Sequence, residues 1–250
     1  MDETRAPLAT PDADTLVVAL ETPPPVQASF ANLLAANPDA VGFLDIDGLI
    51  SLPVVQRIND NEFYLDHSFD QEESIAGTLF LDGMNLLVPE DDCLVVYGHN
   101  MKNGTMFQPL AYYEELPFLQ EHALVRFDTL YENRVYVPFA ALTVTADADS
   151  ERHLNLRQFS YDAESFDMFV RSLRALSVWD SSVDVAYGDR LLLLVTCEYT
   201  HDNGRFVLAL RAQRPDEAWD QLWAQAMQST EKQPIDSELP TEEPLLNAAP

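Results

Sequence analysis

The chain is 250 residues long, 47% apolar, and carries a formal charge of -28. That length and apolar content suit one globular domain with tails, while the charge repels nucleic acid and anionic lipid and excludes both as partners. No apolar run reaches the roughly 18–20 residues that a membrane-spanning helix needs, and the opening MDETRAPLAT has neither region of a signal peptide.

Residues 1–28 are rich in Pro, Thr, Ala and acid and include Pro23-Pro24-Pro25, which predicts an extended linker; residues 15–20 are the one stretch there able to pair as an edge strand. Ser29 is placed to cap a short helix over 30–36, stopped before Pro38. Residues 41–46 and 49–56 read as two strands around the turn Asp47-Gly48. A short helical turn is expected over 59–66, strands over 77–81 and 93–97, and short helices over 107–113 and 117–122. Residues 123–130 and 133–146 form a second predicted hairpin through Glu132-Asn133. Asp162 caps an amphipathic helix, Ala163–Leu176, in which Phe166, Phe169, Val170, Leu173 and Leu176 recur at helical spacing and read as core.

Residues 191–195 are a continuous apolar run, the mark of a strand buried on both faces. A polar stretch with the turn signal Asn203-Gly204 follows, and then a second apolar strand over 206–210. After Pro215, residues 216–228 predict a C-terminal helix docked through Trp219, Leu222, Trp223 and Met227, and disorder is expected from residue 229 onward. Many short strands with few helices argue for a mostly antiparallel barrel.

Cys197 stands where an apolar strand meets a polar loop, and Arg205 follows across that loop. Far upstream another strand ends at Tyr97-Gly98 and presents His99 in a Gly/Asn-rich loop. A nucleophilic Cys needs a base within hydrogen-bond reach, and the two are commonly distant in sequence. His67, His122 and His153 sit in no such context; His201 is close enough to Cys197 to be the rival base. A disulfide between the two cysteines would consume the nucleophile, so Cys93 reads as a core residue at a strand start.

YGHNMKNGTMF, residues 97–107, resembles the histidine motif of class B sortases, and Thr196-Cys197 with Arg205 resembles their T-C…R signature. The likeness runs upstream through Asn37-Pro38-Asp39, Val41-Gly42-Phe43, Pro53-Val54-Val55-Gln56, Asn61-Glu62-Phe63-Tyr64-Leu65 and Gly77-Thr78-Leu79-Phe80-Leu81-Asp82, in order, over residues 29–214. It implies an α+β chain built on a closed sortase-type antiparallel barrel of about eight strands, with an N-terminal helix and a helix inserted before the cysteine strand. The division it suggests is a linker at 1–28, the catalytic domain at 29–214, a C-terminal helix at 215–228 and an acidic tail at 229–250.

The resemblance also implies a cysteine transpeptidase without metal or cofactor. Cys197 would be the nucleophile, His99 the acid–base group and Arg205 the oxyanion partner. Asn61, Leu65, Leu154, Asn155, Val195, Thr196 and Glu198 would hold the substrate. The implied partners are the sorting-signal peptide of a secreted surface protein and, as acceptor, an amine of a lipid-linked peptidoglycan precursor or of a pilin. The implied location is the extracellular face of the membrane, against the cell wall. The N-terminal membrane helix usual in such enzymes is not in this sequence, and the expectation is a chain whose anchor has been removed. Two other readings use the same residues: a cysteine hydrolase with water as acceptor, and a barrel that only binds peptides.

Overall fold

A computed structural model describes residues 23–145, 149–197 and 204–232. A 3-10 turn leads into helix α1 (Ala31–Ala36), followed by strands β1 (Ala40–Ile46), β2 (Ile50–Val55), β3 (Leu79–Leu81) and β4 (Cys93–His99). Helix α2 (Leu116–Glu121), β5 (Val125–Thr129), the long β6 (Asn133–Thr145), α3 (Ala163–Leu176), β7 (Trp179–Asp180), β8 (Leu191–Cys197), β9 (Gly204–Ala212), α4 (Trp219–Met227) and β10 (Thr230–Glu231) complete it. Eight strands close a barrel in the order β1-β2-β3-β4-β8-β9-β6-β5, and β5 pairs back onto β1. The β2–β3 and β4–β8 pairs are parallel; the other barrel pairs are antiparallel. The expected antiparallel barrel therefore has two parallel seams, and one of them, β4–β8, joins the strands that end at His99 and Cys197.

Side chains alternate across a strand, so a barrel strand has an inner and an outer face. Leu94 and Val96 of β4 and Leu192 and Leu194 of β8 fill the barrel with Leu44, Ile46 and Phe127. Cys93, Val95 and Tyr97, with Leu191, Leu193 and Val195, face outward beneath Phe166, Val170 and Leu173 of α3. Both faces are thus covered, which is why 191–195 is apolar without a break. Helix α3 is fixed at its start by a capping box in which the Asp162 carboxylate accepts from Ser165 N at 2.8 Å.

Three expectations need correction, and the first is Ser29, which lies inside the 3-10 turn 28–30 and does not cap α1, whose N-cap is Phe30. Trp219 and Trp223 do not dock α4: they are 63% and 43% exposed, and Leu222 and Ala226 form the buried face, packed with Val137 and Phe139 of β6. The small Ala226 lets the helix approach closely, whereas an indole at that position would hold it off. The tail expected from residue 229 is also ordered at its start. Thr230–Glu231 pair with β7, and Lys232 Nζ donates to the carbonyls of Ala175 and Ser177 (2.6 and 2.9 Å), placing a cation at the C-terminus of α3. The possible strand at 15–20 lies outside the described residues.

Candidate active site

The parallel seam fixes the site. Cys93 pairs with Leu191, and the register runs unbroken to His99 against Cys197. Adjacent strands lie about 4.8 Å apart, so two strand tips 98 residues apart in sequence end side by side. On the other side of β8 the antiparallel β8–β9 register runs from Leu191 with Arg211 to Val195 with Val207, and Arg205 lies two residues before Val207 on β9. Tyr97, Val195 and Val207 belong to the outward-facing set, and strand alternation puts positions 99 and 205 on that same face.

Local sequence holds the histidine in place. The loop after His99 returns through an Asn100–Met106 bridge, and Phe107 N donates to the His99 carbonyl at 2.9 Å. Gly98 is required by close packing: a Cβ there would strike Leu79 Cδ2 and lie 2.8 Å from the Phe107 ring. His99 Nε2 lies 2.6 Å from the Leu65 carbonyl oxygen. A carbonyl only accepts, so Nε2 carries the proton of that bond. Leu65 is itself held by Gly77, whose φ of +60° and lack of a Cβ let it sit against the Tyr64 and Leu65 carbonyls.

Two adjoining cavities open beside these tips. One, of about 220 Å³, is lined by Tyr97, Val144, Thr145, the 153–157 segment and Arg205. The other, of about 200 Å³, is lined by Asn61, Leu65, Phe80, Tyr97, Gly98, Arg157 and Arg205. Below them the Tyr97 phenol is pushed up by burial and by neighbouring Asp82, with Arg205 and Arg157 close enough to oppose the shift. Among the described residues no cluster of His, Cys, Asp and Glu is arranged to hold a metal ion.

No protein-family model matches the chain. It is 31% identical over 211 residues to sortase B of Listeria monocytogenes, which spans 83% of this chain and 81% of that protein. The chain belongs to the sortase B family. Sortase B of Staphylococcus aureus is 29% identical over 189 residues, covering 74% of this chain and 75% of that protein. A solved Staphylococcus aureus sortase B-substrate complex superposes with a TM-score of 0.69 at 27% identity, covering 77% of this chain and 88% of that one. Clostridium perfringens sortase B superposes with a TM-score of 0.65 at 30% identity, covering 73% of this chain and 98% of that one.

The protein is accordingly a cysteine transpeptidase of the sortase B type, on that family's closed barrel with helices. Of the residues expected to hold substrate in this sortase, Asn61 and Leu65 line one cavity and Leu154 and Asn155 the other. Val195 is 1% exposed and packs in the core under α3, so its side chain is a core residue and not a groove residue. Thr196 is also buried and is absent from both linings. Glu198 and the rival base His201 lie outside the described residues. His153 lines the larger cavity, but the position in register with Cys197 belongs to His99. Sequence reasoning missed Arg157 and Tyr97, each of which lines both cavities. Tyr97 belongs to the quoted histidine motif, and its place two residues before His99 on the same face was the available signal.

Proposed function

We propose that this sortase cleaves the C-terminal sorting signal of secreted surface proteins at the outer face of the cell membrane and joins the freed acyl group to an amine of the cell wall or of a pilin. Cys197 is the nucleophile, His99 the proton carrier and Arg205 the oxyanion partner. The register of His99 against Cys197 is the observation that supports this reading most. The Cys197 thiolate adds to the scissile carbonyl carbon, forming a C–S bond and a tetrahedral oxyanion. The Arg205 guanidinium balances that oxyanion. The C–N bond then breaks, His99 as imidazolium gives its proton to the departing amine, and a thioester remains on Cys197. An acceptor amine attacks the thioester, its proton passes to the now neutral His99, and the thiolate leaves.

Asn61 and Leu65 on one side, and Leu154 and Asn155 on the other, hold the peptide in the cavities that flank Arg205. A fluorogenic library of Asn-Pro- and Ser-Pro-type pentapeptides tests the proposal. At least one member is expected to be cleaved, with product carried onto added amine in preference to water. Cleavage whose product is the free acid even at high amine concentration would make this chain a hydrolase, and full turnover by Cys197→Ala would remove the mechanism.

A further inference from the structure

Asp82 follows β3 and is fully buried, and its carboxylate is the meeting point of the groove. Oδ2 accepts from Asn61 Nδ2 (3.0 Å), Tyr97 Oη (3.1 Å) and Arg157 Nε (2.9 Å). Oδ1 accepts from Arg157 Nη2 (3.1 Å) and from Met84 N (2.9 Å). A buried carboxylate is costly unless its lone pairs are filled, and five donors fill these. Met84 lies in the turn just after Asp82; the side-chain donors come from the segment after β2, from β4 and from the segment before α3, and Tyr97 and Arg157 among them line both cavities. Arg157 is held at two nitrogens by Asp82, yet its side chain is still 49% exposed. Among the described residues Arg157 Nη1 has no hydrogen-bond partner.

We infer that Arg157 is a second substrate-binding guanidinium of the groove, and that Asp82 is the positioning residue that aligns it. The inference rests on the peptide-cleaving reading above and adds to it a recognition residue and the chemistry that residue selects. The Arg157–Asp82 pair is neutral overall, and a carboxylate ligand brought to Nη1 would also approach the Asp82 charge. The partner that fits is therefore a neutral amide oxygen, a backbone carbonyl of the peptide lying across the partition between the two cavities. Pre-orientation by the bidentate pair removes the rotamer freedom an unpaired Arg would lose on binding.

The test uses binding rather than turnover. Cys197→Ala protein is titrated with fluorescein-labelled members of the Asn-Pro and Ser-Pro pentapeptide library, and Kd is read by anisotropy for the tightest. Arg157→Met, which keeps the aliphatic stem, is expected to weaken binding about tenfold, the scale of one hydrogen bond to a charged donor. Arg157→Lys is expected not to restore it, because one ammonium cannot engage Asp82 at two points and the peptide at a third. Asp82→Asn is expected to weaken binding in the Arg157 protein and to add nothing in the Arg157→Met protein, a coupling that a purely structural role would not produce. An unchanged Kd in Arg157→Met, additive losses in the double variant, or no binding by any member of the library would overturn the inference. Protein that binds with this Arg157 dependence but never cleaves a peptide would overturn the proposed acyl transfer and leave the inference standing. Protein that cleaves but ignores Arg157 would do the reverse.

Discussion

Cys93 and Cys197 sit at opposite ends of the same pair of parallel strands. Cys93 opens β4 against Leu191, and Cys197 closes β8 against His99. The Cys93 thiol is fully buried between α3 and the sheet, where burial first and Asp91 and Asp92 next push its pKa far above the usual thiol range, keeping it neutral. At the other end Tyr97 and Arg205 line cavities. The same side chain on the same seam is thus a core residue at one end and the proposed nucleophile at the other.

The sharpest way to break that comparison is to exchange the roles. Cys197→Ala is expected to lower peptide cleavage by roughly 10^4-fold or more, whereas Cys93→Ala should leave kcat/KM within about twofold because it touches nothing in the site. A Cys93→Ala protein that folds but cannot cleave would end the contrast. Next, His99→Gln should cost about 10^2- to 10^4-fold in kcat as a lost proton carrier, and Arg205→Met about 10^2- to 10^3-fold as a lost oxyanion partner. Both are read from steady-state kinetics with the cleavable peptide, and a loss confined to KM would reassign either residue to binding.

Smaller effects sharpen the same picture. Gly98→Ala forces a methyl into Leu79 and Phe107 beside the histidine. It should cost about 1–3 kcal/mol in urea unfolding, as overpacked cores do, together with a loss of turnover. Titration of native protein with a thiol reagent should modify one thiol, and the second only after denaturant is added; two fast thiols in the native state would contradict the burial of Cys93.

The strand tips on which the proposed site is built were legible because their signals are local. A strand that reaches Gly98-His99 and a strand that ends at Thr196-Cys197 are short patterns that can be read within a few residues. The α3 stripe was legible for the same reason: Phe166, Val170 and Leu173 are buried at helical spacing. The Asp82 junction was not legible, since Arg157 lies 75 residues away from it and nothing near either residue announces the pair. Val195 is two residues from Cys197 along the strand, yet it is buried in the outward-facing cluster and lines neither cavity. The α4 face was misread because aromatic size suggested burial, while the contact with β6 selected Leu222 and Ala226.

From sequence alone the chain determined its elements, the apolar strands that close its barrel and the His, Cys and Arg positions at their ends, because periodicity and motif spacing act over a few residues. Tertiary structure alone decided that the seam between β4 and β8 is parallel and in register at 99 and 197, and that one buried carboxylate gathers both walls of the groove. Register and long-range hydrogen bonds are set by how strands align in three dimensions, and no local pattern records that alignment.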